Sequence, residues 1–305
     1  MNYKKLIKSR SLRVKLLSML NWIPDKPMVK LQYRIKMKRS LDIKNPTRLT
    51  EKIQWLKLYY RDPLMAQCAD KYEVRSFIES IGLANILNEC YGVYNRVADI
   101  DWDSLPDSFV LKDTLGGGGN SVIIVRDKKQ LDKEAACAQM RGWLSIDPKA
   151  KNVGREWVYN TGIPHRIIIE KFLAQDGAEA PLNDYKFFCF NGKVGFMYVM
   201  TDRKLGQSVS VGIFDRDFNK LPVLRTGDSD ISIGTEKPKN FDRMLEYAEK
   251  IGSRFPHVRV DFYNVDGRII FGETTFFGAS GYMEFDPESF DAEMGEKLEL
   301  PERNK

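Results

Sequence analysis

The pattern of apolar and polar positions changes character along the chain. The first 50 residues read as basic helical segments interrupted at Pro24 and Pro27. A helix is expected to open at Asn45-Pro46-Thr47 and to run through Tyr59, and another to cover Asp70 to Ile81 before Gly82 stops it. From Phe109 onward short runs rich in β-branched and aromatic residues take over. They predict strands at 108–112, 121–125, 166–173, 185–190, 194–201, 209–215, 257–263 and 268–274. Helical spacing fits between them at about 130–145 and at 241–255. Strands and helices mix without a βαβ rhythm, so the pattern points to an α+β fold with antiparallel sheets rather than a doubly wound one. No repeat of 20–50 residues is visible.

Composition sharpens this picture in one respect. The 305 residues carry 48 Lys and Arg against 42 Asp and Glu, a net charge of +6. Residues 1–50 hold 14 basic and 2 acidic side chains, so the remainder is net acidic. With 43% hydrophobic and 11% aromatic residues the chain is neither disordered nor fibrous. It lacks the run of about 18 apolar residues that a spanning helix needs. Lys8, Arg10, Arg13 and Lys15 break any signal-peptide core, which argues for the cytoplasm. The four cysteines (68, 90, 137 and 189) are far apart, and His165 and His257 are the sole histidines. That favours reduced thiols over a zinc site or a disulfide framework.

Two segments carry candidate chemistry. Gly116, Gly117, Gly118 and Gly119 lie between two strand-like runs, so they form the tip of a hairpin, either plainly mobile or covering an anion with its backbone amides. A Walker A loop and a dinucleotide fingerprint both need a helix to follow, and here a strand follows. In kinases the lysine follows the glycine loop, whereas Lys112 precedes it. The second segment is 259–273, around Asp266-Gly267. A three-residue loop Val265-Asp266-Gly267 would pair Asp261 with Phe271 and Arg259 with Glu273, placing Arg259, Asp261, Glu273 and Thr275 on one face. A two-residue Asp-Gly turn would put the carboxylates on opposite faces. Val258, Val260 and Phe262 mark the other face as core, and a carboxylate turned toward them would be costly, which favours the three-residue loop. Two close carboxylates suit Mg²⁺ shared with substrate phosphates; the plainer reading is a surface hairpin with an Arg259–Glu273 ion pair.

Taken together, Lys112 before the glycine hairpin, the run ending in Glu170-Lys171-Phe172-Leu173, and Arg259-x-Asp261 followed by Gly272-Glu273 resemble the ATP-grasp superfamily. Asn45-Pro46, Leu49 to Lys57, Ala69-Asp70-Lys71-Tyr72, Leu105 to Lys112, Asp184 to Lys193 and Val258 to Asp261 resemble its TupA-like subgroup, named after a teichuronopeptide biosynthesis protein. The resemblance implies two α+β subdomains enclosing ATP. With it come the expected divisions: a basic segment 1–50, a preceding domain 51–107, a lid subdomain 108–173 and a C-terminal subdomain 174–305. It implies that Lys112 meets the α/β-phosphates and that Gly116–Gly119 cover the β/γ-phosphates. Glu170 to Leu173 would hold the adenine edge, with Asp176 or Glu179 on the ribose. Lys186 would be a second phosphate cation, or else an exposed strand lysine. Asp261 and Glu273 would hold Mg²⁺, joined by Thr275 where superfamily members often have Asn. Arg259 would stabilise developing charge. Gly278, Ser280 and Gly281 would form the loop at the acyl-acceptor end.

The subgroup implies bacterial surface polysaccharide synthesis. The expected activity is an ATP-dependent carboxylate–amine ligase amidating a uronic acid of a capsular, O-antigen or teichuronic-type glycan, or its precursor, with an amino acid or amine. A glycosyltransferase, a phosphotransferase and a non-catalytic nucleotide-binding scaffold are the alternatives. The basic front section lacks a set of stacking aromatics, which argues against nucleic acid. Its Leu6, Ile7, Val14, Leu17 and Leu20 among cations suit peripheral association with an anionic membrane. A solvated helix, or one gripping acidic glycan, is the alternative.

Overall fold

The structure, a computed structural model, describes residues 19–117, 119, 121–174, 182–201, 210–231 and 235–302. The chain enters through α1 (Asp25–Met37), α2 (Leu49–Tyr59), α3 (Pro63–Ala69) and α4 (Val74–Ser80). Pro27 does not interrupt α1 as the sequence suggests. It sits in the first turn, where its missing N–H has no helical acceptor to lose. α2 begins at Leu49, after the Pro46 turn, because the Glu51 carboxylate reaches back to the N–H groups of Thr47 and Arg48. The helix expected from Asp70 starts only at Val74. The buried Asp70 side chain accepts from the amides of Tyr72 and Glu73, and the Lys71 N–H donates to the Thr114 carbonyl, so this stretch is a turn.

The remaining elements are β1 (Cys90–Tyr94), β2 (Phe109–Asp113), β3 (Val122–Val125), α5 (Lys133–Leu144), β4 (Ile167–Lys171), β5 (Asp184–Phe190), β6 (Lys193–Thr201) and β7 (Ser210–Phe214). The short strands β8 (Leu224–Arg225) and β9 (Ser229–Asp230) precede α6 (Phe241–Gly252), β10 (His257–Val265), β11 (Arg268–Thr275), β12 (Phe285–Asp286) and α7 (Ser289–Glu296). Every strand expected from the pattern is present within two residues at either end. The pattern does not predict β1, β8, β9 or β12. β1 carries Gly92 and no residue sealed from solvent, so it has little apolar alternation to read.

The strands form a four-stranded sheet of order β1-β4-β2-β3, a six-stranded sheet of order β11-β10-β5-β6-β7-β9 and a two-stranded pairing of β12 with β8, antiparallel except for β7 with β9. The fold is α+β, as expected. The four-stranded and six-stranded sheets each have their own core. Phe109, Leu111, Ile167 and Ile169 pack with Met140 and Trp143 of α5 on one face of the small sheet. Strand alternation then turns Val110, Lys112, Ile168 and Glu170 to the opposite face. The large sheet buries Phe187, Cys189, Val258, Val260 and Phe262 against α6, while α2, α3 and α4 contribute to the same core. A third cluster joins α1 to Tyr282 through Val29, Tyr33 and Met37.

Candidate active site

The polar face of the large sheet begins with the β10–β11 hairpin, where the structure corrects the expected register. Val265 pairs with Arg268, so the turn is the two-residue Asp266-Gly267, both at positive φ (53° and 95°). That turn alone would separate the carboxylates. A β-bulge at Gly272 inserts one residue, and beyond it Asp261 faces Glu273 and Arg259 faces Thr275. A Cβ on Gly272 would stand 3.1 Å from the Asp261 carbonyl oxygen, so any larger residue would crowd the bulge. The four side chains therefore share one face by a route that turn chemistry does not reveal.

β5 lies against the other side of β10 and brings Lys186 opposite Asp261. The Lys186 ammonium donates to Asp261 Oδ2 and lies 2.7 Å from Asp184 Oδ2. Arg259 donates to both oxygens of Asp261 (2.6 and 2.7 Å), to Glu273 Oε1 (3.2 Å) and to Thr275 Oγ1 (2.9 Å). Asp184 and Asp261 are each 2% exposed and Lys186 is 7% exposed, which rules out a solvated surface hairpin. Groups this buried keep their charge only when paired. Burial works against the charge on Arg259, but Asp261 and then Glu273 overcome it and raise the guanidinium above its ordinary range. Burial likewise pushes the Glu273 carboxyl up, yet Lys71, Arg259, Lys186 and Lys112 together hold it down at about 2.

The small sheet faces this array with Lys112 on β2, whose ammonium donates to Glu170 Oε2 on β4 at 2.7 Å; Arg75 lies 3.7 Å from the other oxygen. Gly116 sits where the hairpin neck closes. A Cβ there would be 2.4 Å from Ser121 Cβ. Gly117 has open space around it, and Gly119 has a φ of 74°. Gly118 lies outside the described residues.

Lys71 ties the two halves together. Its ammonium donates to the Gly116 carbonyl and stands 3.6 Å from Glu273 Oε2. The turn at Asp70 presents it, with Asp70 itself fixed by Arg166 at 3.1 Å. In the sequence Lys71 is only part of a resemblance, with no role of its own. The one local signal for it is an Asp-Lys pair set between two helical segments. Asp184, two residues before Lys186 on the same strand face, also escapes sequence reasoning.

A model of the TupA-like ATPgrasp family matches residues 51–299, which takes in every strand and every site residue just described. The chain belongs to the TupA-like ATP-grasp family. Membership makes it an ATP-grasp protein. Among solved structures, the D-alanine–D-alanine ligase from Helicobacter pylori is 14% identical with a TM-score of 0.45, over 85% of this chain and 68% of that one. The L-amino acid ligase from Bacillus licheniformis is 16% identical with a TM-score of 0.39, over 70% of this chain and 42% of that one. The N5-carboxyaminoimidazole ribonucleotide synthetase from Thermus thermophilus is 12% identical with a TM-score of 0.40, over 74% of this chain and 51% of that one. No curated protein matches the sequence.

For this TupA-like ATP-grasp protein the residues fit Mg²⁺ held jointly with a nucleotide. Among the described residues no group of three or more His, Cys, Asp or Glu side chains is arranged to hold a metal by itself. Asp261 and Glu273 supply two hard oxygen donors directly opposite each other, which suits a cation whose other ligands are phosphate oxygens and water. Thr275 is the Arg259 partner here, adding a hydroxyl beside that pair.

The remaining expected positions are placed as follows. Lys171 has its backbone committed to Glu89 and Asn88, while the Phe172 ring lies 5.2 Å from the Arg126 guanidinium and Leu173 is half-buried. Asp176 and Glu179 lie outside the described residues. Gly278 lies under Arg259, 3.5 Å from Nη1 to a Cβ built there. Ala279 and Ser280 follow with φ of 49° and 56°, a conformation that costs about 1–2 kcal/mol per non-glycine residue. That turn is held from behind: Gln54 donates to the carbonyls of Ser280 and Gly281, Lys57 donates to Ser280 (2.6 Å), and the Ser280 hydroxyl donates to Glu156.

Proposed function

We propose that this protein joins a carboxylate to an amine through an acyl phosphate, and that the carboxylate belongs to a uronic acid of a bacterial surface polysaccharide or its precursor. One observation carries the chemistry. Three cations, Lys71, Lys186 and Arg259, contact a facing pair of carboxylates beneath a glycine hairpin, and Lys112, paired with Glu170, adds its charge to those holding Glu273 ionised. In this reading Lys112 and Lys71 bind phosphate oxygens, and the backbone of Gly116 to Gly119 covers them. Phe172 and Leu173 border the adenine, with Asp176 on the ribose. Asp261 and Glu273 hold Mg²⁺, with Thr275 beside them.

The substrate carboxylate attacks the γ-phosphorus and ADP departs. Arg259 and Lys186 neutralise charge on the transferring phosphoryl group and then on the tetrahedral carbon centre. The amine attacks the acyl carbon and phosphate leaves, with the turn at Gly278, Ser280 and Gly281 bordering the acceptor. The glycan reading rests on the family's namesake alone. The test is to incubate purified protein with ATP, Mg²⁺, a panel of uronic acids and mixed amino acids. ADP release that requires both partners supports the reading. Release that ignores the amine across the panel refutes ligation, and release with a carboxylate other than a uronic acid corrects the substrate.

A further inference from the structure

Four large apolar side chains lie exposed between residues 19 and 35: Met19 at 72%, Trp22 at 79%, Leu31 at 49% and Ile35 at 47%. They are not the inward face of α1. That face buries Met28, Val29, Gln32, Tyr33 and Met37 against the protein. On the outward face the helical repeat sets Lys26, Lys30 and Arg34 in one row and Leu31 and Ile35 in the row beside it, all exposed. Asp25 is the single acidic residue between positions 19 and 40, and Arg155 and Lys151 hold it at 3.1 Å each. The face therefore presents cations flanked by apolar groups, with no acidic side chain of its own segment left to oppose an anionic partner.

We propose that α1 and the turn before it form a docking face for an anionic lipid membrane. The two rows separate this partner from the others. A hydrophilic acidic polysaccharide would satisfy Lys26, Lys30 and Arg34 but would leave Trp22, Leu31 and Ile35 in water. A neutral apolar partner would cover the second row and strand the cations. A bilayer with anionic headgroups takes both, with cations at the phosphates and the aromatic and aliphatic side chains in the interface.

The placement also bears on the reaction. The buried side of α1 touches Tyr282, whose hydroxyl donates to Gln32 Oε1 at 2.8 Å, and Tyr282 directly follows the Gly278–Gly281 turn. Docking would set that turn about one helix diameter, roughly 10 Å, from the lipid surface. A membrane-borne acceptor follows only if the ligase reading above holds; the docking face itself does not depend on it.

The test is co-sedimentation of the full chain with phosphatidylcholine vesicles, with and without phosphatidylglycerol, read beside the thermal midpoint of each variant. The expected result is binding that requires phosphatidylglycerol and falls about tenfold or more both in Leu31→Glu/Ile35→Glu and in Lys30→Glu/Arg34→Glu, with midpoints unchanged. Equal binding to neutral vesicles would overturn the proposal. So would anionic binding that Leu31→Glu/Ile35→Glu leaves intact, since cations alone would then suffice. A wild-type dimer that these variants dissociate, without vesicle binding, would overturn it by showing that a second copy covers the face. Retention on an acidic polysaccharide but not on vesicles would overturn it by assigning the cations to a glycan.

Discussion

Lys71→Met removes the link between the glycine hairpin and the carboxylate pair while keeping most of the side-chain volume. The ammonium stands 3.6 Å from Glu273 Oε2. Across that distance the attraction is about 4–5 kcal/mol at an effective dielectric of about 20. The Glu273 side chain is 34% exposed, and solvent screening brings the contribution down to about 1–2 kcal/mol. The sign follows from the direction of the shift. Glu273 titrates at about 2 in the folded protein against an ordinary 4.5, so its stabilising effect is complete above about 4.5 and disappears as pH falls toward 2. Without Lys71 the folded carboxyl rises by about one unit.

Urea unfolding should therefore show Lys71→Met less stable by about 1–2 kcal/mol from pH 5 to 7, with acid unfolding beginning at higher pH than in the wild type. The same variant frees the Gly116 carbonyl and should raise the KM for ATP. A stability loss that is absent at pH 7, or that widens steadily as Glu273 is protonated, would refute the reasoning.

Asp261→Asn and Glu273→Gln should each lower ATP turnover about 10³-fold or more. Circular dichroism should show Asp261→Asn folded, since Lys186 keeps Asp184 and Arg259 keeps Glu273 and Thr275. Gly272→Ala places a Cβ 3.1 Å from the Asp261 carbonyl; thermal melts should show a loss of about 1–3 kcal/mol, with turnover falling further than stability explains because Glu273 moves. Thr275→Val deprives Arg259 of a neutral acceptor, and steady-state kinetics should show kcat/KM reduced roughly 10- to 100-fold.

Much of the active face is legible in the residues because strand alternation is a strict code. Once Val258, Val260 and Phe262 mark the buried side of β10, Arg259 and Asp261 have to share the other. The pairing across to β11 is not legible. Asp266-Gly267 is a strong two-residue turn signal, but its effect is reversed by a bulge at Gly272, and a bulge depends on contacts between strands rather than on local preference. Lys71 is hidden for a related reason. Its role comes from Asp70 meeting Arg166, residues 96 positions apart, and from a hairpin 45 positions further along the chain. The helical spacing from Asp70 to Ile81 suggests one element, whereas the Asp70 side chain competes with the helix for the amides of Tyr72 and Glu73 and delays its start.

The most direct measurement follows oxygen. A substrate pair identified by amine-dependent ADP release should be supplied with ¹⁸O in the carboxylate, and the released inorganic phosphate analysed by mass spectrometry. Activation through an acyl phosphate predicts one carboxylate oxygen in each phosphate released, in step with ADP and amide. Phosphate free of label, or label retained entirely in the product, would contradict the account.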